Sequence, residues 1–560
     1  MQRLGVNGIV LDLLQKRGVV DSEEQDRFLH PDFTRDTHNP FLLVDMDRAV
    51  ARIFAAMQAQ EKIAVYADFD CDGIPGASIL HETFKKIGYT DVVVYIPHRD
   101  REGYGFHTKA IESLKERGIS LIITVDVGTV AFEGVAHARG LGIDVIVTDH
   151  HELKDTLPEC LIINPKRGDY PFRDLCGAGV AWKLASALIA EGRKREHSAF
   201  AGIPEGWEKW LLDLVAIATV ADLVPLIGEN RTLVHFGLTV LRKTRRPGLR
   251  ALAERARVHL VDLNEDAIGF TIAPRVNAAS RMDVPELAFR LLTTEDEKEA
   301  DTIARELESL NRKRKGTVAA MTREAKARAR ARYQEGDSIT VLGDTAWKPS
   351  LCGLVANAVM EERGGMVCVW GEDAEGNLKG SCRSDGARSV VEVFTCAKEE
   401  LIEFGGHHAS GGFSVSRKAI HTLPEALKAA AAAIEPRVAT EAPAHDAEIL
   451  VADVSPTLMQ ELDQLAPFGI GNPKPIFRVR EARITFARQF GKEMNHTEVT
   501  LVCSRSGVSR RGFQFFKIPT DFSLPPSPGS AADVLATIER DTFRGRGALA
   551  LRLHDILTPR

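Results

Sequence analysis

The sequence lacks several patterns that would place it in common classes of protein. Its eight cysteines include no Cys-x-x-Cys pair, which argues against a disulfide scaffold or a structural zinc site and fits a reducing cytosol. No run approaches the roughly 20 apolar residues of a membrane span, and we expect no export signal in residues 1–7. Heptad arrays and internal repeats are absent as well. The 560 residues, 44% of them hydrophobic, therefore predict a soluble globular protein with three or four domains.

An excess of positive charge is also absent. Lysine and arginine total 72 and aspartate and glutamate total 78, so the formal net charge of −6 gives no indication of nucleic acid. An acidic enzyme still binds phosphates where positive charge is concentrated at a cleft. A helix predicted over Glu295–Tyr333 holds nine basic residues and one acidic residue between Arg312 and Arg332. This stretch is either a solvated linker helix or a face that steers a polyanion.

Apolar runs alternate with amphipathic helical patterns from about Glu61 to Pro165. This alternation predicts an α/β domain around a parallel sheet. A mostly helical stretch follows, and after the long helix a second α/β region runs from about Ser338 to Ile434. Residues 436–445, rich in alanine and proline, indicate a linker, and the short β-like runs beyond it are consistent with a small β-barrel. The predicted strands of the first sheet are Ile63–Ala67, Val92–Ile96, Leu121–Val125, Val145–Thr148 and Leu161–Asn164.

Acidic and imidazole side chains follow four of the apolar runs. Open parallel sheets bind ligands outside the carboxyl ends of their strands, so we expect one shared metal centre there. Oxygen-rich ligation with one or two imidazoles suits Mn²⁺ or Mg²⁺. Two such ions, roughly 3.5–4 Å apart, activate a water and stabilise the leaving oxygen of a phosphodiester. The residues concerned are Asp68, Asp70, Asp72, Asp126, Asp149, His150, His151 and Asp222.

The first three aspartates occupy alternate positions. They would point to one face if the strand continued, and a loop beginning at Gly73 could instead fold all three around a cation. Like charges this close repel and raise one another's pKa unless a metal neutralises them. A solvated acidic loop is the alternative interpretation, and the recurrence of Asp126, His150 and Asp222 in comparable contexts favours the metal site.

The same residues carry a family resemblance. Residues 68–73 (DFDCDG), 124–126 (TVD), 149–151 (DHH) and 219–222 (TVAD) resemble the four motifs of the DHH phosphoesterase superfamily. Within it, the chain is most similar to the RecJ family of single-strand-specific 5′→3′ DNA exonucleases. Residues 380–384 and 405–407 resemble the associated second domain, called DHHA1, and residues 467–473 resemble the start of the RecJ OB-fold.

The resemblance implies a role for each matched residue. It makes Asp70, Asp72, Asp126, His150 and Asp222 ligands of two Mn²⁺ or Mg²⁺ ions. Asp68 would be a further ligand or would orient the attacking water, and His151 would contact the scissile phosphate or assist proton transfer. The chain departs from the family pattern at Cys71, usually alanine, at Ser280, usually glycine, and in residues 347–353, which lack a common histidine and glycine.

Three groups of residues are candidates for contacts with nucleic acid. Ser381 and Arg383 could grip a terminal phosphate, with backbone N–H groups of the turn at Gly406 and His407. Arg99, Arg101 and Tyr104 could line the path of the strand, with Tyr104 stacking on a base, although Arg101 could equally pair with Asp100 or Glu102. The third group forms either inter-domain hydrogen bonds or phosphate contacts and consists of Arg275, Asn277 and Arg281.

These observations predict a multi-domain α/β protein whose first domain contains a parallel sheet. The expected activity is metal-dependent 5′→3′ hydrolysis of single-stranded DNA to 5′-mononucleotides, in repair and recombination. The expected partners are single-stranded DNA and either a helicase or a single-strand-binding protein, without a membrane, in the cytoplasm. The predicted parts are an N-terminal segment at 1–50, a DHH catalytic domain at 51–292, a linker helix at 293–335, a DHHA1 domain at 336–435 and a nucleic-acid-binding OB-fold at 446–560.

Two alternatives remain open at this point. A DHH phosphodiesterase that acts on short oligonucleotides or cyclic dinucleotides would share the metal centre, although it would not need the C-terminal region. A catalytically silent binding subunit would use the same fold as a nucleic-acid scaffold. The complete set of predicted ligands argues against that second alternative.

Overall fold

The fold is that of a computed structural model, which describes residues 8–282, 284–334, 336–437, 445–541 and 548–559. The chain divides into two compact units. One unit combines Met1–Thr37, Pro225–His235 and Glu441–Arg560, and the other combines His38–Val224 and Phe236–Thr440. Among the described helices, none has both the length and the apolar character needed to cross a membrane.

Helices are spread over both units. In chain order the α-helices are α1 Gly8–Lys16, α2 Ser22–Leu29, α3 Phe33–Asp36, α4 Met46–Ala59, α5 Gly73–Ile87, α6 Thr108–Glu116, α7 Phe132–Gly140, α8 Gly177–Lys194, α9 Leu212–Ala221, α10 Gly228–Arg242, α11 Pro247–Ala256, α12 Glu265–Ala267, α13 Ala273–Arg281, α14 Pro285–Thr293, α15 Glu297–Arg332, α16 Pro349–Arg363, α17 Val390–Cys396, α18 Leu423–Ala432 and α19 Pro456–Asp463.

The strands form three sheets, two in the larger unit and one in the smaller. In chain order the strands are β1 Lys62–Ala67, β2 Val92–Tyr95, β3 Ile119–Val125, β4 Asp144–Thr148, β5 Leu161–Ile163, β6 Ile339–Gly343, β7 Met366–Glu372, β8 Leu378–Ser384, β9 Glu403–Gly406, β10 Ser410–Val415, β11 Ala447–Leu450, β12 Phe477–Phe490, β13 His496–Cys503, β14 Ser509–Gln514, β15 Ala531–Arg540 and β16 Leu549–Leu557.

The first sheet has the strand order β2-β1-β3-β4-β5, and every pairing in it is parallel. One face packs on α6 and α7 through a cluster that includes Tyr66, Ile111 and Val147. Helices α5 and α8 contact strands of the same sheet. Both faces of a parallel sheet are normally covered by helices, which explains the continuous apolar runs in the sequence. The prediction of a parallel α/β sheet is confirmed.

The second sheet is mixed, with the order β6-β7-β8-β10-β9. Only β6 and β7 pair in parallel, and the remaining pairings are antiparallel. One face packs on α17 and α18 around Phe394 and Leu427. The other face packs on α16 and on the last part of α15, around Val355 and Ala325. This arrangement fixes β8 between two helical layers.

Helix α15 is the long helix that the sequence predicts over Glu295–Tyr333. Its 36 residues correspond to a length of about 54 Å. Along that length it contacts α11, α13 and α14 and then α16, so it connects the helices around the first sheet with those around the second. Asp296 caps its first turn by accepting hydrogen bonds from the backbone N–H groups of Lys298 and Glu299.

The C-terminal sheet closes into a barrel. Its order is β11-β12-β13-β14-β16-β15, and an additional pairing of β12 with β15 joins the two ends of the five-stranded part. Leu13 and Leu14 of α1 belong to the same apolar cluster as barrel residues such as Val499 and Leu551. The expected β-barrel is confirmed. The predicted domain boundaries stay predictions, and residues 438–444 of the predicted linker lie outside the described residues.

Candidate metal centre

The predicted metal ligands lie where three parallel strands and one helix end. Strand β1 ends before Asp68, β3 ends before Asp126, and β4 ends before Asp149. Asp222 follows the last residue of α9. Because β1, β3 and β4 are adjacent and parallel, their carboxyl ends meet at one edge of the sheet.

The segment after β1 is a loop rather than a continuation of the strand. Strand β1 ends at Ala67, and α5 begins at Gly73. The Asp70 carboxylate accepts hydrogen bonds from the backbone N–H groups of Asp72 at 2.8 Å and Gly73 at 3.2 Å. A Cβ atom at residue 73 would lie 2.3 Å from the Asp68 carbonyl oxygen, so only glycine permits this turn. The turn therefore gathers the three aspartates.

Asp72 is held by the start of another helix. Its two carboxylate oxygens accept hydrogen bonds from the N–H groups of Gly177, at 2.6 Å, and Ala178, at 2.7 Å. These are the first residues of α8, where N–H groups have no partner inside the helix and where the helix dipole favours negative charge. Even so, burial and then the charge of Asp70 raise the pKa of Asp72 to about 7.

His150 is central in the cluster. Burial and the neighbouring His151 lower the pKa of His150 to about 3, so its imidazole is neutral, the form that ligates metals. Its Nε2 atom faces three carboxylate oxygens. The distances are 3.2 Å to Asp126 Oδ1, 3.6 Å to Asp72 Oδ2 and 3.6 Å to Asp222 Oδ2.

The donor atoms fit a divalent cation. Three sets of ligand atoms each lie within 4.8 Å of one another, namely Asp68, Asp70 and Asp126; Asp72, His150 and Asp222; and Asp126, His150 and His151. Asp68 Oδ1 and Asp126 Oδ1 are buried without a hydrogen bond from any described group, a costly state for a polar atom. A cation would satisfy both oxygens.

Crowding of the carboxylates changes their proton affinity. Burial and then the charge of Asp72 raise the pKa of Asp222 to about 9. Burial is also the main cause that raises the pKa values of Asp68 and Asp126 well above the usual range, with Asp70 and Asp72 as the respective charged neighbours. The cluster therefore binds protons near neutral pH when no cation is present.

Asp126 carries backbone strain. Its φ of 61° lies in the left-handed region, which non-glycine residues rarely adopt. The backbone N–H of Asp126 donates to the Thr148 carbonyl at 2.9 Å, and its own carbonyl accepts a hydrogen bond from the Tyr104 hydroxyl at 3.2 Å. Such strain persists where the surroundings over-determine the conformation, as at binding sites.

Asp149 has a supporting role that the sequence did not separate from its neighbours. It is fully buried and accepts hydrogen bonds from His151 Nδ1 at 2.7 Å and from the backbone N–H groups of Thr129 and His150. Although burial opposes both charges, this pair lowers the pKa of Asp149 and raises the pKa of His151 to about 9. Asp149 thus orients a protonated His151. In the sequence, the position of Asp149 directly before two histidines was the signal that could have indicated this supporting role.

Two of the three predicted contacts in the loop after β2, Arg99 and Tyr104, lie beside this centre. The Arg99 guanidinium lies over the Phe69 ring, 4.8 Å from its centroid. Arg101 is exposed. Tyr104 is 51% exposed, and its hydroxyl is 3.3 Å from His151 Nδ1, so one ring contacts the metal cluster while also facing solvent.

The second sheet also reaches the centre. The His407 ring is parallel to the His151 ring, with centroids 6.1 Å apart. His407 follows Gly406, whose φ of 145° suits glycine and where a Cβ atom would lie 2.3 Å from the Ser410 carbonyl oxygen. Ser381 and Arg383 are alternate residues of β8 and share one face, beside Gly353 of α16. The sequence analysis predicted contacts with nucleic acid for four residues of this region, namely Ser381, Arg383, Gly406 and His407.

The predicted residues on α13 have partners within the protein. Arg275 donates to Glu308 at 2.7 Å and to the Thr271 carbonyl at 2.8 Å. Asn277 Oδ1 accepts from the backbone N–H of Cys71 at 3.0 Å, which connects α13 to the aspartate loop. Their contact with nucleic acid stays a prediction.

Arginines form a second electrostatic group, opposite in sign to the first. Arg281 donates to the Ser350 carbonyl at 2.6 Å and has no carboxylate among its described hydrogen-bond partners. Burial, followed by the charges of Arg99, Arg314 and Arg383, lowers the pKa of Arg281 well below its usual value. Arg314 was not predicted to belong to this group, because in sequence it is one of many basic residues on α15. Guanidinium groups that repel one another are suited to a shared phosphate.

Comparisons with known proteins agree with this geometry. Residues 62–219 match the family model for the DHH family, N-terminal domain, and residues 445–555 match that for the RecJ OB domain. The single-stranded-DNA-specific exonuclease RecJ of Bacillus subtilis is 34% identical over 99% of this chain and 68% of its own length. The Haemophilus influenzae protein of the same name is 31% identical over 99% of this chain and 96% of its own length.

A solved structure has the same fold. The crystal structure of RecJ from Thermus thermophilus in complex with Mn²⁺ superposes with a TM-score of 0.80 at 28% identity, covering 99% of this chain and 76% of that one. The parallel sheet, its acidic and imidazole cluster and the DHH match together define a DHH-family protein with a metal-binding centre. With these relatives, each matched over 99% of this chain, the chain belongs to the RecJ family.

We predict that metal binding releases protons. Asp72 and Asp222, with pKa values of about 7 and 9, hold protons in the metal-free protein at pH 6, and a cation needs their charged forms. The affinity for Mn²⁺ should therefore rise roughly tenfold or more from pH 6 to pH 8. Calorimetric titration in two buffers of different ionisation enthalpy measures the released protons. An affinity independent of pH, with no proton release, would contradict this prediction.

The same shifts predict how stability depends on pH. These carboxyl groups bind protons more tightly in the folded than in the unfolded state, so the metal-free fold loses stability as pH rises through about 7 to 9. Mn²⁺ removes the repulsion, and it should raise the melting temperature more at pH 9 than at pH 6. Thermal unfolding with and without a chelator checks this, and a larger effect at pH 6 would refute it.

We further predict that Gly177→Ala damages the metal centre. A Cβ atom there would lie 2.6 Å from Asp126 Cβ and 2.9 Å from its Oδ1. Overpacking of this kind costs about 1–3 kcal/mol, so the affinity for Mn²⁺ should fall about fivefold to 150-fold. Gly179→Ala is the matched control, since its Cβ atom meets nothing closer than 3.6 Å. Equal Mn²⁺ affinity in both variants, measured by calorimetry, would show that Asp126 is not displaced.

Proposed function

We propose that this chain is a metal-dependent exonuclease that removes 5′-mononucleotides from single-stranded DNA, as the names of its relatives indicate for those proteins. The observation that carries the proposal is the combination of two charged groups in one compact unit. A carboxylate–imidazole centre suits divalent cations, and a group of arginines beside it suits phosphates. A phosphodiester backbone requires both.

The metal centre supplies the chemistry. Mn²⁺ or Mg²⁺, when bound, would polarise the scissile phosphate and a water and neutralise developing negative charge. Two ions would be held by Asp70, Asp72, Asp126, His150 and Asp222. Asp68 has a buried, unpaired oxygen that is suited to orient the attacking water.

His151 is suited to act on the scissile phosphate. Its pKa of about 9 keeps the ring protonated at neutral pH, and its Nδ1–H donates to Asp149 at 2.7 Å. That bond fixes the plane of the imidazole, so that Nε2–H can donate to a phosphate oxygen. The protonated imidazole would stabilise the negative charge that develops on this phosphate oxygen during hydrolysis.

The second sheet would hold the end of the strand. Ser381 and Arg383 offer a hydroxyl and a guanidinium on one face of β8, which are the donors that a terminal phosphate accepts. Gly406 and His407 would add contacts from the neighbouring turn. If these groups hold a 5′-phosphate, they set which phosphodiester reaches the metals and hence the 5′→3′ direction.

The cellular setting is part of the proposal. All eight cysteines are free, which is consistent with the reducing cytoplasm. Action in DNA repair and recombination would require that single strands be exposed, so a helicase or a single-strand-binding protein is the kind of partner to expect. The closed barrel is a fold that binds single strands in other proteins.

The direct test is a nuclease assay on strands labelled separately at each end, with Mn²⁺ present. We expect release of 5′-mononucleotides from single strands and no comparable cleavage of blunt duplex. Asp126→Ala should reduce the rate to background while the melting temperature in chelator is maintained, because the residue loses only its ligand oxygens. Preference for a dinucleotide over a long strand would instead support a small-substrate phosphodiesterase. Tight binding without any cleavage would support a silent binding subunit.

We predict that Arg383→Ala selectively impairs the use of 5′-phosphorylated strands. The variant loses a charge-assisted contact worth about 1.5–3 kcal/mol, so kcat/KM should fall about tenfold to 150-fold. A 5′-hydroxyl strand should lose less, because it never made the contact. Arg417→Ala, an exposed arginine paired with Glu372 in the same sheet, serves as a control that should behave like the wild type. Equal losses on both substrates would show that Arg383 is structural.

A further inference from the structure

An ion pair joins the loop after β2 to the start of α16. The Lys348 ammonium lies 2.8 Å from Asp100 Oδ2, with 33% of the Lys348 side chain and 13% of the Asp100 side chain exposed. Lys348 is the residue that precedes α16. It also falls within residues 347–353, where the sequence departs from the family pattern. Neither residue belongs to the set predicted to bind metal or nucleic acid.

The position of Asp100 in the chain allows it to restrain the two arginines next to it. Asp100 lies directly between Arg99 and Arg101. Within the loop, Glu102 accepts hydrogen bonds from the Tyr95 hydroxyl at 2.6 Å and from the His98 N–H at 2.7 Å. The ion pair with Lys348 adds a connection from Asp100 to the start of α16.

Helix α16 in turn lies against the predicted phosphate site. A Cβ atom at Gly353 would lie 2.8 Å from Arg383 Nη2 and 3.3 Å from Ser381 Oγ, so this helix borders both side chains. Arg281 and Ser350 exchange two hydrogen bonds one turn earlier, at 2.6 and 3.0 Å. The start of α16 is thereby positioned from two sides.

We propose that the Asp100–Lys348 ion pair is a clasp that keeps Arg99 near Arg383, so that both guanidinium groups bind one terminal phosphate of the strand. The proposal rests on the proposed function for the identity of the ligand. Asp100 directly follows Arg99, and its partner Lys348 precedes the helix whose Gly353 borders Arg383, so the ion pair connects the segments that carry the two guanidinium groups. Two like charges repel each other and move apart unless something holds them. The clasp provides that restraint before the phosphate arrives, which makes Asp100 and Lys348 positioning residues for recognition of the 5′ end.

A simpler explanation, in which the two residues act only through their charges, predicts a different effect of substitution on DNA binding. If the two residues affected binding only through their charge, Asp100→Asn would strengthen the binding of a polyanion and Lys348→Met would weaken it. If they act as a clasp, both substitutions weaken binding of the phosphorylated end. The double variant should then be no worse than either single variant, because one interaction is lost in all three.

The experiment measures binding without catalysis. Fluorescence anisotropy in chelator gives dissociation constants for a 3′-labelled single strand that carries either a 5′-phosphate or a 5′-hydroxyl. In each single variant we expect the preference for the 5′-phosphate to fall about threefold to tenfold, while binding of the 5′-hydroxyl strand stays near wild type. Lys348→Arg, which keeps the ion pair, should retain most of the preference. Lys85→Met is the control, since Lys85 of α5 pairs with Glu295 at 2.9 Å and neither residue belongs to a group predicted to bind metal or nucleic acid.

Several results would overturn the clasp. These are tighter binding by Asp100→Asn, additive losses in the double variant, equal weakening for both strands, or a wild-type protein without preference for the 5′-phosphate. This experiment can support or refute the clasp independently of whether the protein is an exonuclease. A wild-type protein that prefers the phosphorylated strand, loses that preference in both single variants and cleaves nothing would support the clasp while refuting the exonuclease.

Discussion

Repulsion among buried carboxylates is the constraint on which the rest of the site depends. Asp68, Asp72 and Asp126 are almost completely buried within one cluster, with Asp70 and Asp222 beside them. The fold offsets only part of that cost through backbone N–H groups at the start of α8 and through the positive charge of His151. What remains appears as raised pKa values and as two buried oxygens without a hydrogen bond. A cation is the group that would remove this cost, so the protein is folded around a position for one.

The arginine group is subject to the same kind of repulsion, here between positive charges. Arg99, Arg281 and Arg383 come from a loop, a helix and a strand that are far apart in sequence, and their charges act on one another. Anions remove this repulsion just as cations remove the first. A phosphodiester strand with its metal ions would therefore lower the energy of both groups together, as the proposed function requires.

Much of this was predictable from the sequence because the signals are local. Continuous apolar runs predicted the strands of the parallel sheet, and the residues after them predicted the acidic and imidazole cluster, since parallel strands place their carboxyl ends at one edge. The long helix and the C-terminal barrel also follow local patterns. The pairings that support the site were not visible. Asp72 is held by residues 105 and 106 positions later, and Asn277 contacts a loop 206 positions earlier.

By itself, the sequence determined the order of the strands along the chain, the chemistry of the candidate metal ligands and the membership of the family, because each depends on residue type and spacing. Only the tertiary structure decided that the aspartates leave the strand in a turn, that Asp149 orients His151, and that Arg275 pairs with Glu308 while Arg281 donates to the Ser350 carbonyl. The physical reason is that charge and hydrogen bonding act through space, so the state of each group depends on neighbours brought close by folding.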